Sequence, residues 1–137
     1  MPMTFVFLED VLTEVTDLFP YGLVHIGGDE CPKARWKECP RCQRRMRDEG
    51  LGSEEELQSY FVRRIERFLA SRNRRMVGWD EIRQGGLSET AIVLSRKREQ
   101  GLRSALENGN DVIMTPYLNC YFDYYQVGGQ AVLRKTR

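Results

Sequence analysis

The chain has 137 residues, with 21 basic against 20 acidic side chains and one histidine. That length supports one ordinary domain with a real core, and the near-zero net charge gives no pull toward nucleic acid or anionic membranes. No run of about 18 apolar residues is present to span a membrane, and Met1-Pro2-Met3-Thr4 lacks the positive region and apolar stretch of a signal peptide.

Phe5 to Phe19 predicts an amphipathic helix, because Phe5, Leu8, Val11, Leu12, Val15 and Leu18 recur near helical spacing. Pro20 and Gly22 close it and lead into a strand over Leu23–Gly27. The most informative stretch is the end of that strand, His25-Ile26-Gly27-Gly28-Asp29-Glu30. Consecutive strand side chains point to opposite faces, so neighbouring acids do not normally share a site. Gly27 and Gly28 accept backbone angles that other residues avoid, and can turn Asp29 and Glu30 toward one place. Barrel enzymes carry their catalytic residues at such C-terminal strand tips.

A polar loop is expected from Cys31 to about Gly52. Its Cys39-Pro40-Arg41-Cys42 spacing, with Cys31 nearby, admits a small zinc-stapled interaction module. A structural zinc site needs four closed ligands, and the only histidine lies inside the strand motif. Thiols or one local disulfide are the other reading, and no metal is expected. Ser53 then predicts a helix N-cap, with Glu56 completing a capping box. The helix should run to about Ser71 and bury Leu57, Tyr60, Phe61, Ile65, Phe68 and Leu69. Arg63, Arg64, Arg67, Arg72, Arg74 and Arg75 fit a solvated outer face better than a nucleic-acid patch.

After the polar break at Arg72–Arg75, Met76–Trp79 predicts a short strand ending in Asp80 and Glu81. Ala91–Leu94 predicts another, and Leu102–Asn108 a helix that Gly109 stops. Asp111–Thr115 is a further strand, ended by Pro116. This alternation gives about four β units with at least two intervening helices, hence an α/β fold with a parallel sheet. A complete (β/α)8 barrel takes roughly 250 residues, so the chain could supply only part of one. Part of a barrel leaves two sheet edges that proteins normally cover.

Three more motifs accompany the His25–Glu30 string. They are Val77-Gly78-Trp79-Asp80-Glu81-Ile82, Asp111-Val112-Ile113-Met114-Thr115-Pro116, and Cys120-Tyr121-Phe122-Asp123-Tyr124-Tyr125-Gln126. Together and in this order they resemble the family 20 glycoside hydrolases, the β-N-acetylhexosaminidases. The resemblance runs from about Phe5 to Gln126. It implies a partial (β/α)8 TIM barrel, approximately strands four to seven with their helices. Residues 1–126 would form this partial catalytic barrel and residues 127–137 a divergent tail. It also implies a hydrolase acting on glycans with terminal N-acetylhexosamine, using no cofactor, with a periplasmic or secreted parent and the oligomeric state left open.

Carried over residue by residue, Glu30 matches the general acid and base that protonates the glycosidic oxygen and then activates water. Asp29 matches the acid that orients the substrate's own 2-acetamido group, whose oxygen attacks the anomeric carbon to give an oxazolinium-type intermediate. Such substrate-assisted enzymes depart from the usual two-carboxylate scheme. Two different acids are needed because Asp29 must offset positive charge as the ring forms, whereas Glu30 must arrive with a proton. Trp79 resembles an aromatic wall of the acetamide pocket, Tyr121 a hydroxyl donor to the acetamide oxygen, and Asp123 a carboxylate that binds sugar hydroxyls. His25 is assigned a supporting role beside the acid pair.

The third strand ends in Ser95-Arg96-Lys97-Arg98, where the family usually has tryptophan directly after the serine. Arginine is no conservative replacement for an apolar wall. The family's further contacts from earlier and later strands are not expected within 137 residues. An inactive remnant with at most weak sugar binding is therefore the alternative reading.

Overall fold

The computed structural model describes residues 2–96 and 100–123. Lys97, Arg98, the Tyr124-Tyr125-Gln126 end of the aromatic motif and the expected tail over 127–137 lie outside the described residues.

Helix α1 (Pro2–Leu18) leads to strand β1 (Leu23–His25), then to helices α2 (Ala34–Glu38), α3 (Pro40–Glu49) and α4 (Glu54–Ser71). Strand β2 (Arg75–Trp79), a 3-10 turn (Asp80–Arg83), strand β3 (Ile92–Ser95), helix α5 (Gln100–Glu107), strand β4 (Asp111–Met114) and helix α6 (Tyr117–Cys120) follow. The four strands form one parallel sheet in the order β1-β2-β3-β4. Parallel neighbours need crossover connections: α2, α3 and α4 lie between β1 and β2 and α5 between β3 and β4, whereas β2 reaches β3 through the 3-10 turn and irregular chain. His25 pairs with Val77, Val77 with Ile92, and Ile92 with Asp111, so the C-terminal strand ends fall along one edge. The architecture is that of a partial barrel.

The core lies between the sheet and helices α1 and α4. Phe5, Val62, Ile65, Leu69, Met76, Ile82 and Ala91 are buried together, with Leu8, Leu12, Val24 and Ile26 packed against them. The apolar stripe of α1 is narrower than its sequence predicts. Phe5, Leu8 and Leu12 reach the core, whereas Val11 and Leu18 are exposed at the edge of the stripe, rotated away from it.

The Cys31–Gly52 segment is a second correction, because it contains α2 and α3 instead of a continuous loop. Pro40 stands in the first turn of α3, where its missing N–H costs nothing, and Gly50 closes the helix in the left-handed region. Cys42 and Met46, one turn apart, bury against Leu57 of α4, with Trp36, Cys39, Leu51 and Tyr60 around them.

Helix α4 starts as expected, with the Ser53 hydroxyl accepting from the Glu56 N–H at 3.2 Å. The reciprocal half of the capping box is shifted by one residue: the Glu56 carboxylate accepts from the Gly52 N–H at 2.9 Å. The arginines near this helix do more than solvate it. Arg64 lies over the Phe5 ring at 4.0 Å, Arg72 binds Thr16 and Asp17, and Arg75 bridges Asp111 and the Thr90 carbonyl, each at 2.6 Å. Among the described residues, no helix is long and apolar enough to cross a membrane.

Candidate active site

The chain leaves β1 through Gly27 at φ 75° and Gly28 at φ 92°, both in the region glycine tolerates. The turn stays laced to β2: Ile26 N–H donates to the Val77 carbonyl, and Trp79 N–H to the Gly27 carbonyl, each at 2.9 Å. From α4, the buried Gln58 donates to the Gly28 carbonyl at 2.9 Å. Its own carbonyl accepts from Lys33, whose ammonium also reaches the Cys31 carbonyl at 2.7 Å. A Cβ on Gly28 would run into the side chain of Ile82. Glu30 itself sits at φ 49°, a conformation that costs a non-glycine residue roughly 1–2 kcal/mol.

His25 accepts a hydrogen bond from the Gly27 N–H through Nδ1 at 3.0 Å, which leaves its ring proton on Nε2. Its ring meets Trp79 edge-on, with centroids 5.1 Å apart and planes at 70°. Burial lowers the His25 pKa below the ordinary value, and the nearby Asp29 charge only partly opposes this. The imidazole is therefore neutral at neutral pH, as its acceptor role requires.

Arg96 is the hub of this edge. Its guanidinium lies 4.8 Å from the centre of the Trp79 ring. Nη1 is 3.2 Å from the Asp29 carboxylate, and Nη2 donates to both Glu81 oxygens, at 3.0 and 2.8 Å. The Tyr121 hydroxyl lies beside the same side chain and favours its charge. Burial works against the arginine's charge, but Glu81, Tyr121 and Asp29 outweigh it and raise the pKa. One cation thus gathers Asp29 from the tip after β1, Trp79 and Glu81 from β2 and its 3-10 turn, and Tyr121 from beyond β4.

Of the residues singled out in the sequence, Asp29, His25, Trp79 and Tyr121 are brought together. Glu30 follows Asp29 but is exposed, and among the described residues no hydrogen bond or ion pair holds it. Asp123 is also exposed, two residues beyond Tyr121 in a turn. Two residues were missed. Gln58 announces itself as a polar side chain on the buried Val62–Ile65–Leu69 stripe of α4. Glu81 carries no comparable local signal, because only the β2–β3 register brings it to Arg96. The cysteines are free thiols, and among the described residues no three His, Cys, Asp or Glu side chains gather as a metal site.

The family profile described as "Glycosyl hydrolase family 20, catalytic domain" matches residues 1–135. The chain belongs to glycosyl hydrolase family 20. It is 48% identical over 142 aligned positions to the beta-hexosaminidase of Porphyromonas gingivalis, an alignment covering 96% of this chain and 18% of that protein. With the beta-hexosaminidase of Vibrio furnissii it shares 39% over 127 positions, covering 92% of this chain and 21% of the relative. The chain thus spans about a fifth of the length of these curated relatives. Among solved structures, the family 20 exo-β-N-acetylglucosaminidase of Vibrio harveyi, bound to N-acetylglucosamine, superposes with a TM-score of 0.80 at 34% identity. That match covers 86% of this chain and 19% of the other. The chitobiase of Flavobacterium johnsoniae gives the same TM-score, 0.80, at 30% identity, with the same two coverages of 86% and 19%. The parallel strands and crossover helices are thus a portion of the family 20 barrel.

Proposed function

We propose that residues 1–126 form part of the catalytic barrel of a β-N-acetylhexosaminidase, which removes terminal non-reducing N-acetylhexosamine from β-linked glycans by substrate-assisted catalysis. The observation that carries this reading is the convergence of Asp29, Trp79 and Tyr121 on the single Arg96 guanidinium. A carboxylate, a flat apolar ring and a phenol hydroxyl in one place suit an acetamido group. The carboxylate accepts its N–H, the ring packs its methyl, and the hydroxyl donates to its oxygen.

In this role Asp29 holds the acetamide so that its oxygen faces the anomeric carbon, and stabilises the positive charge as the oxazolinium ring closes. Glu30, exposed at the adjoining position, protonates the departing glycosidic oxygen and then takes a proton from the incoming water. His25 fixes the Gly27 turn and backs the Trp79 ring. Asp123 binds sugar hydroxyls from the loop beyond α6. The test is turnover by the intact protein of an aryl N-acetyl-β-glucosaminide against the matching aryl β-glucoside, which lacks the acetamido group. Turnover of the first alone is expected, and equal turnover of both would contradict the reading.

A second reading rests on the same arginine. Arg96 engages Asp29 in the position where an acetamide N–H would bind, so an inactive or weakly sugar-binding barrel is the runner-up. Sugar binding without turnover of the aryl N-acetyl-β-glucosaminide would favour it.

A further inference from the structure

Cys39 is the residue that caps the N-terminus of α3, Pro40 opens the helix, and Cys42 lies in its first turn. The two side chains are three positions apart at the start of a helix, and therefore on one face. They belong to the same apolar cluster: Cys42 is 7% exposed against Met46 and Leu57, and Cys39 packs against it while remaining partly open to solvent. We propose that Cys39 and Cys42 are a redox-active dithiol, with Cys39 the attacking thiol and Cys42 the resolving one, acting on low-molecular-weight disulfides.

The surroundings divide the two roles. The Cys39 sulfur makes no capping hydrogen bond, but the neighbouring Cys42 N–H and thiol, with Arg41, hold its pKa below the ordinary thiol value. Burial, with the neighbouring Cys39 sulfur adding to it, pushes Cys42 up to about 11. A thiolate is the nucleophile in disulfide exchange, so the more open, lower-pKa sulfur reacts first. Cys39 loses its proton to water and attacks one sulfur of the small disulfide. The S–S bond breaks and the first thiolate leaves, taking up a proton from water. The Cys42 sulfur then attacks the Cys39 sulfur, and its proton passes to the second departing thiolate. Two protein thiols are oxidised by two electrons, and one small disulfide is reduced to two thiols.

The ring so closed sits at the junction of α2 and α3, on the segment that leads out of Asp29 and Glu30. It also lies against α4 at Leu57, the neighbour of Gln58, which holds the Gly28 carbonyl. Oxidation fixes the start of α3 without displacing Cys42 from its cluster.

The test uses the intact protein, native and urea-unfolded, with N-ethylmaleimide and with glutathione disulfide. In the native protein Cys39 is expected to alkylate about tenfold faster than Cys42, the larger thiolate fraction being partly offset by lower intrinsic nucleophilicity. Urea should abolish that difference. After oxidation, trypsin cuts behind Arg41, so the disulfide should appear as the Glu38–Arg41 peptide linked to Cys42–Arg44. Cys42→Ala should accumulate glutathione on Cys39, whereas Cys39→Ala should leave Cys42 unmodified. Equal native alkylation rates, faster alkylation of Cys42, or persistent mixed disulfides with no linked peptide in the unmutated protein would overturn the proposal.

Discussion

Arg96 commits its donors to Asp29 and Glu81 and sets its guanidinium over the Trp79 ring, with Arg96, Asp29 and Glu81 all partly buried. A hydrogen bond to a charged partner contributes about 1.5–3 kcal/mol, and in the proposed mechanism a substrate acetamide must displace that contact before it can use Asp29. Replacing Arg96 by tryptophan removes the competing cation and restores an apolar wall beside Trp79. Arg96→Trp is therefore expected to raise kcat/KM toward an aryl N-acetyl-β-glucosaminide by about tenfold, since each ~1.4 kcal/mol is a factor of ten. The same change leaves Asp29 and Glu81 without their shared counter-charge, so a lower melting temperature should accompany the gain. An unchanged or reduced kcat/KM would mean that Arg96 does not occupy the substrate's place. Sequence alone made the substitution visible at this position. The contact with Glu81 was not legible, because it depends on how far β2 and β3 slide past each other.

A packed wedge helps to hold the turn after β1. Ile82, fully buried in the 3-10 turn after β2, fills the space beside Gly28 and Gly78. A Cβ on Gly78 would lie 2.7 and 2.9 Å from Ile82 side-chain carbons and 3.2 Å from the Gly27 carbonyl oxygen. Gly78→Ala must therefore move either the wedge or the carbonyl that binds the Trp79 N–H. Overpacking of this kind costs typically 1–3 kcal/mol. A lower denaturation midpoint together with reduced kcat is expected, the second because the Asp29-Glu30 turn shifts. A variant with both unchanged would show that the tip is not held by this packing.

Local rules made α4 legible, since its cap and apolar spacing are written in consecutive residues. They failed for α2 and α3, where few apolar residues are scattered among many charged ones. The faces that Trp36, Cys42 and Met46 bury are supplied by Leu57 and Tyr60, beyond the reach of periodicity within the segment. Val11 and Leu18 failed in the opposite sense, being apolar in pattern but exposed, because only part of the α1 stripe meets the core.

For the molecule as a whole, the parallel sheet matters because it sends every strand's C-terminal end to one edge. The alternation of strands and helices predicted that sheet, and the Gly27-Gly28-Asp29-Glu30 string marked the turn at the end of β1. Convergence of Trp79 and Tyr121 on that tip was expected only through family resemblance, since the residues lie 42 positions apart in the chain and only the folded sheet brings them to one place. In the proposed mechanism the two adjacent acids do different work: Glu30 donates the proton and Asp29 orients the acetamide. The rates of Glu30→Gln and Asp29→Asn, made in the intact protein, on aryl N-acetyl-β-glucosaminides of graded leaving-group acidity separate the two roles. Glu30→Gln should lose about 10² to 10⁴ in rate with poor leaving groups, and progressively less as the leaving group needs less protonation. The loss in Asp29→Asn should persist across the series, because ring closure still needs the aligned acetamide. A leaving-group dependence in Asp29→Asn and none in Glu30→Gln would contradict the assignment.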